Sequence, residues 1–116
     1  MKLAIVGSRT FNDYELFCKE IDKLQIFYQI DTIISGGAIG ADSLAKFYAN
    51  EHNISLIEYR ADWKKYGKSA GMIRNQTIIN ESDFVIAFWD GVSRGTKNSI
   101  RKAKKCEKLY KIVYFQ

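Results

Sequence analysis

Three short stretches of this chain combine glycine with serine, threonine, arginine or aspartate, a combination typical of anion-binding turns. They are Gly7–Thr10, Ser35–Asp42 and Asp90–Thr96. In the second stretch an apolar run stops at Gly36 and Gly37, and an amphipathic segment begins near Gly40. Glycines at a strand-to-helix turn permit positive φ and let a ligand approach the main chain. The helix that follows aims free N–H groups at the turn. The pattern predicts a phosphate site; the alternative is a tight turn whose small residues serve packing.

Several familiar sites are excluded by spacing. The first strand ends in Gly7-Ser8-Arg9, so it lacks the G-x-G-x-x-G dinucleotide fingerprint, and no G-K-[ST] follows either later turn. His52 is predicted to be a surface histidine, because nothing near it in sequence makes a metal site, and no metal is expected. No Ser-His-Asp or Cys-His set can be assembled. Cys18 and Cys106 form no redox spacing and are expected to be small buried residues of helices in a reducing compartment.

The composition is that of a globular chain with one domain, residues 1–116. The chain is 47% hydrophobic, which is compatible with a real core at this length. No apolar run reaches the length of a membrane span, and Met1–Gly7 is predicted to be a first strand rather than a signal peptide. A cytoplasmic location and no membrane partner are therefore expected.

The net charge of +5 is concentrated in one segment. From Lys97 to Lys111 there are seven basic residues and one acid, so this segment carries +6 and the remainder −1. Such a segment is either a polyanion-binding surface or the solvated face of one helix.

The elements that position these stretches alternate along the chain. The five predicted strands are Lys2–Gly7, Thr32–Ser35, Ile54–Tyr59, Asp83–Trp89 and Lys111–Phe115. Four helices are predicted between them: Asp13–Gln29, capped by Asn12 with Glu15; one with Ala41, Leu44, Ala45, Tyr48 and Ala49 on its inner face; one near Met72–Asn80; and one near Thr96–Lys108. The last helix is predicted to place Ile100, Ala103, Cys106 and Tyr110 on its inner face. Arg60–Gly71 is predicted to be a long connection, in which Trp63 or Tyr66 either stacks on a base or packs as a lid. Trp89 is expected in the core.

This alternation predicts an α/β fold, a single Rossmann-like three-layer domain with a five-stranded parallel sheet. Right-handed crossovers leave few topologies, and the strand order 3-2-1-4-5 is expected. Ligands of such sheets bind at the carboxyl ends of the strands, where the winding reverses. The three glycine-containing stretches converge at that point, between strands one and four.

Together with Ala61-Asp62-Trp63, Gly67, Ala70-Gly71 and Arg74-Asn75, these turns resemble the YspA-type branch of the SLOG superfamily. That superfamily includes the LOG phosphoribohydrolases and the DprA DNA-processing proteins. The resemblance covers nearly the whole chain. It implies a Rossmann-like nucleotide-binding fold and a ligand related to nucleotides or ADP-ribose.

The resemblance also assigns individual residues. Met72-Ile73-Arg74-Asn75 resembles the arginine-containing helix of the LOG enzymes, and Arg74 could hold a phosphate bidentately. Gly95-Thr96 is kept from their second motif, but Ser99 stands where they have a glutamate, which argues against hydrolysis by their route. Asp42 and Asp90 are candidate substitutes for that carboxylate; alternatively each is a helix cap or a ribose-hydroxyl acceptor.

The expected function is binding of a nucleotide or nucleotide-derived ligand, without a required cofactor. Alternatives are nucleotide N-glycoside hydrolysis and DprA-like nucleic-acid binding. The candidate ligand-binding residues are Gly7, Ser8, Arg9, Ser35, Gly36, Gly37, Gly40, Asp42, Arg74, Asn75, Asp90, Gly91, Arg94, Gly95 and Thr96. The expected partners are a nucleotide-derived small molecule, nucleic acid bound weakly and without sequence preference, and a second copy of the chain in a homodimer.

Overall fold

Buried side chains in the two central strands alternate between two cores, one on each face of the sheet. In the computed structural model, which describes residues 1–116, Leu3 and Ile5 pack in one core, and Ala4 and Val6 pack in the other. Both faces of a parallel sheet are normally covered by helices, so its central strands are apolar throughout. The predicted three-layer arrangement is confirmed.

Five parallel strands form the sheet, in the order β3-β2-β1-β4-β5 that the sequence predicted. The elements are β1 Lys2–Gly7, α1 Tyr14–Phe27, β2 Thr32–Ser35, α2 Ala41–Glu51, β3 Ser55–Glu58, α3 Trp63–Tyr66, a 3₁₀ turn Gly67–Ser69, α4 Ala70–Glu81, β4 Phe84–Trp89, α5 Arg94–Lys105 and β5 Leu109–Tyr114. In register, Gly7 of β1 lies beside Phe88 of β4. The loops after β1 and β4 therefore leave the sheet side by side.

The larger core lies between the sheet and helices α1 and α2. Phe11, Phe17 and Phe88 stack there, with ring centroids 4.7 Å apart for Phe11–Phe88 and 5.1 Å apart for Phe17–Phe88. On the opposite face, α4 contributes Ile78 and Ile79 to the second core, and α5 contributes Ile100 and Ala103. These two cores fix α2, α4 and α5 against the sheet, and the ends of these helices border the site described below.

Two predictions about helix boundaries are corrected. Asp13, not Asn12, caps α1, because its carboxylate accepts a hydrogen bond from the Leu16 N–H at 3.0 Å. The segment predicted to be a connection from Arg60 to Gly71 is helical in most of its length. Asp62 caps α3 by accepting from the Lys65 N–H at 3.1 Å, and α4 begins at Ala70 rather than near Met72.

The end of α5 departs from its predicted inner face. Cys106 is exposed after the helix ends at Lys105, and Tyr110 is 45% exposed on β5. The chain turns at Glu107 with a φ of 57°, so Tyr110 no longer follows the helical period. Cys18 is half-buried, so the prediction of two buried cysteines is wrong for Cys106. Trp89 is half-buried and packs against the second core.

Candidate functional site

A polar cleft opens at the carboxyl ends of the strands, where the loops after β1, β2 and β4 meet. Its volume is about 430 Å³, which lies within the range of small-molecule sites. Three of its sixteen lining residues are hydrophobic, so the cleft suits a ligand with many polar groups. Ten of the predicted binding residues line it: Gly7, Ser8, Arg9, Gly36, Asp42, Arg74, Asn75, Arg94, Gly95 and Thr96.

The other five predicted residues, Ser35, Gly37, Gly40, Asp90 and Gly91, do not line the cleft. Gly40 shapes it instead. Its φ is +81°, and a Cβ there would collide with the backbone carbonyl oxygens of Ser8 and Arg9. Glycine is therefore required for the close approach of the loops after β1 and β2. Ser35 ends β2 fully buried, and its hydroxyl has no hydrogen-bond partner.

Ser8 joins the loops after β1 and β4. It is almost completely buried, and its hydroxyl accepts a hydrogen bond from the Asp90 N–H at 3.2 Å. Its backbone carbonyl accepts from the Phe11 N–H at 3.2 Å. Ser8, predicted to bind ligand, thus holds its own loop together, and it also faces the cleft.

Asp90 caps the loop that precedes α5. Its Oδ1 accepts from the N–H groups of Val92 at 2.9 Å and Ser93 at 2.7 Å, and its Oδ2 accepts from the Ser93 hydroxyl at 2.6 Å. The Ser93 hydroxyl and these N–H groups lower the pKa of Asp90 to about 2. Asp90 is therefore not the predicted cap of α5, which begins at Arg94 without a side-chain cap; it holds its own turn closed.

Arg74 reaches from α4 to the glycine turn after β2. Its Nη1 donates to the Gly36 carbonyl oxygen and its Nε donates to the Asn75 side-chain oxygen, both at 3.0 Å. A Cβ on Gly36 would lie 2.5 Å from that Nη1, so the arginine requires glycine at this position. A guanidinium has five N–H donors, and these two bonds leave three of them for a ligand.

Asn75 positions the start of α5. It is buried, and its side-chain nitrogen donates to the Asn98 side-chain oxygen at 3.2 Å and to the Gly95 carbonyl oxygen at 3.5 Å. Asn98 was not among the predicted residues. Its position between Gly95 and Ser99 could have marked it as a candidate site residue. Its contact with Asn75 is evident only from the packing of α4 on α5.

Asp42 is the only carboxylate that lines the cleft. Its side-chain Oδ2 accepts from the Ala38 N–H at 3.0 Å. Burial of this side chain raises the pKa of Asp42 to about 6, against the opposing effects of the Ala38 N–H and of Arg74. A carboxyl group that titrates near neutrality in a cleft is typical of a functional site.

The remaining charge at the cleft is positive. Arg9, Arg74 and Arg94 line it, and helices α2 and α5 both begin there without a side-chain cap. The first turn of α5 contains no acidic residue. In α2, by contrast, the first turn contains Asp42, and the Ala41 N–H donates to the Ser8 carbonyl oxygen at 3.5 Å. The free N–H groups and the positive dipole end of α5, together with the three arginines, favour an anion at this place.

Several predicted candidates lie outside the cleft. Trp63 is exposed on α3, and Tyr66 lines a smaller hollow that shares Arg74 with the cleft. His52 is exposed, as predicted, and stacks on Tyr48 with 3.9 Å between ring centroids. No group of three or more His, Cys, Asp or Glu side chains is placed to hold a metal ion. None of the helices has the length and apolar composition needed to cross a membrane.

Comparison with known proteins agrees with this architecture. Residues 1–66 match the model of the YspA, cpYpsA-related SLOG family, YAcAr. The Gene 61 protein of Mycobacterium phage D29 is 32% identical over 111 residues, which cover 90% of this chain and 89% of that protein. Both matches include the glycine turn after β2.

A solved structure of DNA processing protein A from Helicobacter pylori superposes with a TM-score of 0.66 and 25% identity, over 96% of this chain. This chain spans 64% of the length of that DprA chain, which is described as binding single-stranded DNA. The order of the sheet, the glycine turns and these matches lead to one assignment: the chain belongs to the YspA, cpYpsA-related SLOG family.

Proposed function

We propose that the cleft binds a nucleotide or a nucleotide-derived ligand through its phosphate. The observation that carries the proposal is the convergence of the uncapped N-terminus of α5 with Arg9, Arg74 and Arg94 on one polar cleft. Arginine suits phosphate because its planar fork of donors matches the phosphate oxygens.

Each wall of the cleft has a role in this proposal. The start of α5, with Arg94, Gly95 and Thr96, offers N–H groups and charge to a phosphate. Arg74, from α4, offers its three remaining donors. Asp42 is an acceptor for a ribose hydroxyl, since it is the one carboxylate among the lining residues.

The test is a thermal-stability panel with AMP, ADP-ribose, NAD and cyclic nucleotides. A ligand that binds only the folded state stabilises it by mass action, by about 2.7 kcal/mol at one hundred times its Kd. At least one compound should raise the Tm of the parent protein, and Arg74→Met should remove the shift. Arg101→Met, which removes an exposed arginine of α5, is the matched control and should keep it. No shift with any compound would contradict the proposal.

We expect binding without hydrolysis of the N-glycosidic bond. Ser99 lines the cleft at the position where the LOG enzymes have a glutamate, and Asp90 is held by its own loop. Asp42 is then the only carboxyl group available to the cleft. Incubation with nucleoside monophosphates should release no free base; turnover that disappears in Asp42→Asn would establish the hydrolase alternative.

A second candidate function is single-stranded DNA binding. The structural likeness to the Helicobacter pylori DprA protein favours it, and a phosphate site is compatible with a nucleic-acid backbone. Fluorescence anisotropy with a labelled oligonucleotide should separate the two functions. A complex that survives physiological salt, and that Arg74→Met disrupts, would place DNA in the cleft. Binding that disappears at that salt would leave the nucleotide as the ligand.

A further inference from the structure

A second hollow lies beside the cleft, between the carboxyl end of β3 and helices α3 and α4. We call it the side pocket; its walls include Tyr59, Arg60, Asp62, Tyr66, Ile73 and Arg74. Its volume is about 140 Å³, well below the range of sites that enclose a whole small molecule. Its size suits one ring system of a larger ligand.

The side pocket differs from the cleft in its aromatic side chains. Two of its eight lining residues are tyrosines, whereas none of the sixteen residues that line the cleft is aromatic. Tyr59 is half-buried against the second core, whereas Tyr66 is 41% exposed and has no ring partner other than the Lys65 ammonium group, 5.1 Å from its centroid. Aromatic side chains of this kind stack on planar rings of any base.

Arg74 is the wall that the two spaces share. Hydrogen bonds to the Gly36 carbonyl oxygen and to the Asn75 side chain fix the position of its guanidinium. A phosphate bound to Arg74 in the cleft therefore has the side pocket as its neighbour. A nucleotide suits both spaces, since its phosphate is anionic and the flat faces of its base stack on an aromatic ring.

We propose that the side pocket is the base subsite of the cleft, and that Tyr66 stacks on the base of a bound nucleotide. The inference rests on the proposed function, because the cleft must hold the phosphate. It also assigns the segment Trp63–Ser69, which the cleft itself does not use: α3 and the 3₁₀ turn place Tyr66 beside Arg74. Trp63 is left outside the subsite and packs near Gly71 instead.

The test compares ligands with and without a base by isothermal titration calorimetry. The ligands are the four ribonucleoside 5′-monophosphates and ribose 5-phosphate, and the proteins are the parent, Tyr66→Ala, Tyr66→Phe and the control Tyr110→Ala. Tyr110 is 45% exposed, similar to Tyr66, but lies near the start of β5, at the opposite end of the sheet. A thermal melt confirms that each variant is folded.

In the parent, at least one nucleotide should bind more tightly than ribose 5-phosphate. Tyr66→Ala should weaken the binding of that nucleotide about 5- to 150-fold, the loss typical when one base no longer stacks on an aromatic side chain. The affinity for ribose 5-phosphate should be unchanged. Tyr66→Phe keeps the ring and should bind as the parent does, as should Tyr110→Ala.

Three results would overturn the inference. Equal binding of ribose 5-phosphate and all four nucleotides by the parent would show that no base subsite exists, while the proposed phosphate site would stand. An equal loss for both kinds of ligand in Tyr66→Ala would show that Tyr66 only supports the fold of the cleft. If no phosphate ligand binds the parent, the proposed function and this inference both fail.

Discussion

Asp42 is the one acidic residue of the cleft, so its ionisation changes the net charge of the lining. Its carboxyl group is buried beside the glycine turn, and burial raises its pKa to about 6, well above the ordinary value of an aspartate. In the unfolded chain the group is exposed and has the lower pKa, about 4. Between about pH 4 and pH 6 the folded protein therefore binds more protons than the unfolded chain.

The sign of this difference predicts how stability depends on pH. Because Asp42 favours the protonated form on folding, its contribution to the free energy of unfolding falls as pH rises from about 4 through 6 and is constant above. Asp42→Asn removes this cost and keeps an oxygen for the Ala38 N–H. Its stabilisation relative to the parent should be about 1 to 2 kcal/mol larger at pH 8 than at pH 5, given about 1.4 kcal/mol per pKa unit. Urea unfolding at the two pH values measures it; a difference that does not change with pH would contradict a raised pKa for Asp42.

Gly36 tests the position of Arg74. A Cβ at residue 36 would lie 2.5 Å from the Arg74 Nη1 and 3.1 Å from the Asp42 Oδ2, so Gly36→Ala should displace the guanidinium. We expect at least tenfold weaker nucleotide binding, in line with the loss of about 1.5 to 3 kcal/mol when a charged hydrogen bond is removed. Gly71→Ala is the control, since its Cβ would make an ordinary 3.5 Å contact with Trp63. Full binding by a folded Gly36→Ala variant would show that Arg74 does not hold the ligand.

For single residues, the sequence predicted which residue types form the site better than it predicted the role of each one. Glycine at 36 and 40 signals a close approach, which the structure contains. The backbone dihedral angles of a few neighbouring residues decide whether an aspartate faces a cleft or caps its own loop, and the sequence does not specify those angles. The sequence left the same alternatives open for Asp42 and Asp90. The structure separates them, because Asp42 lines the cleft whereas Asp90 accepts hydrogen bonds from Val92 and Ser93.

Among the elements, α5 differs most from the surface that its composition suggested. Arg101, Lys104 and Lys105 are exposed. Lys102 donates to the Gln76 side chain at 3.1 Å, and Lys108 donates to the Ile79 carbonyl at 2.8 Å. These two cations thus hold α5 and the chain after it against α4, and the free positive surface is smaller than the number of lysines implies.

Reversal of the exposed charges tests whether α5 binds DNA. Non-specific binding should be weak and largely abolished at physiological salt, because it depends on counterion release. Lys104→Glu with Lys105→Glu should reduce the slope of log K against log salt by about 0.7 for each phosphate of a single strand that the variant no longer neutralises. Lys19→Glu with Lys46→Glu, exposed lysines of α1 and α2, is the matched control. An unchanged slope in the α5 variant would exclude this face, and nucleotide binding should be unaffected in both variants.

The connection from Arg60 to Gly71 was the least predictable element. Its apolar residues do not recur at helical spacing. Helix α3 and the 3₁₀ turn contain no buried residue, and the first buried residue of this segment is Ala70, where α4 begins. The Asp62 cap stabilises α3 locally. Short elements without a core face leave little signal in the pattern of apolar residues.

At the scale of the whole molecule, the topology was predictable from the alternation of strands with helices. Five apolar strands with helical segments between them permit few right-handed arrangements. The resulting strand order places the three glycine turns together at the carboxyl ends of the strands. The side pocket was not predictable. It is formed where residues from β3, α3 and α4 meet, and no local pattern reports that contact.

The most direct test of the central claim locates the ligand on the whole molecule. Two-dimensional NMR of the ¹⁵N-labelled protein, titrated with AMP and separately with inorganic phosphate, reports each backbone N–H in one measurement. We expect the largest shifts in both titrations at the starts of α2 and α5, in residues 41–43 and 94–97. AMP alone should add shifts around Tyr66. Shifts centred elsewhere, or none at all with either compound, would contradict the assignment of the cleft as a phosphate site.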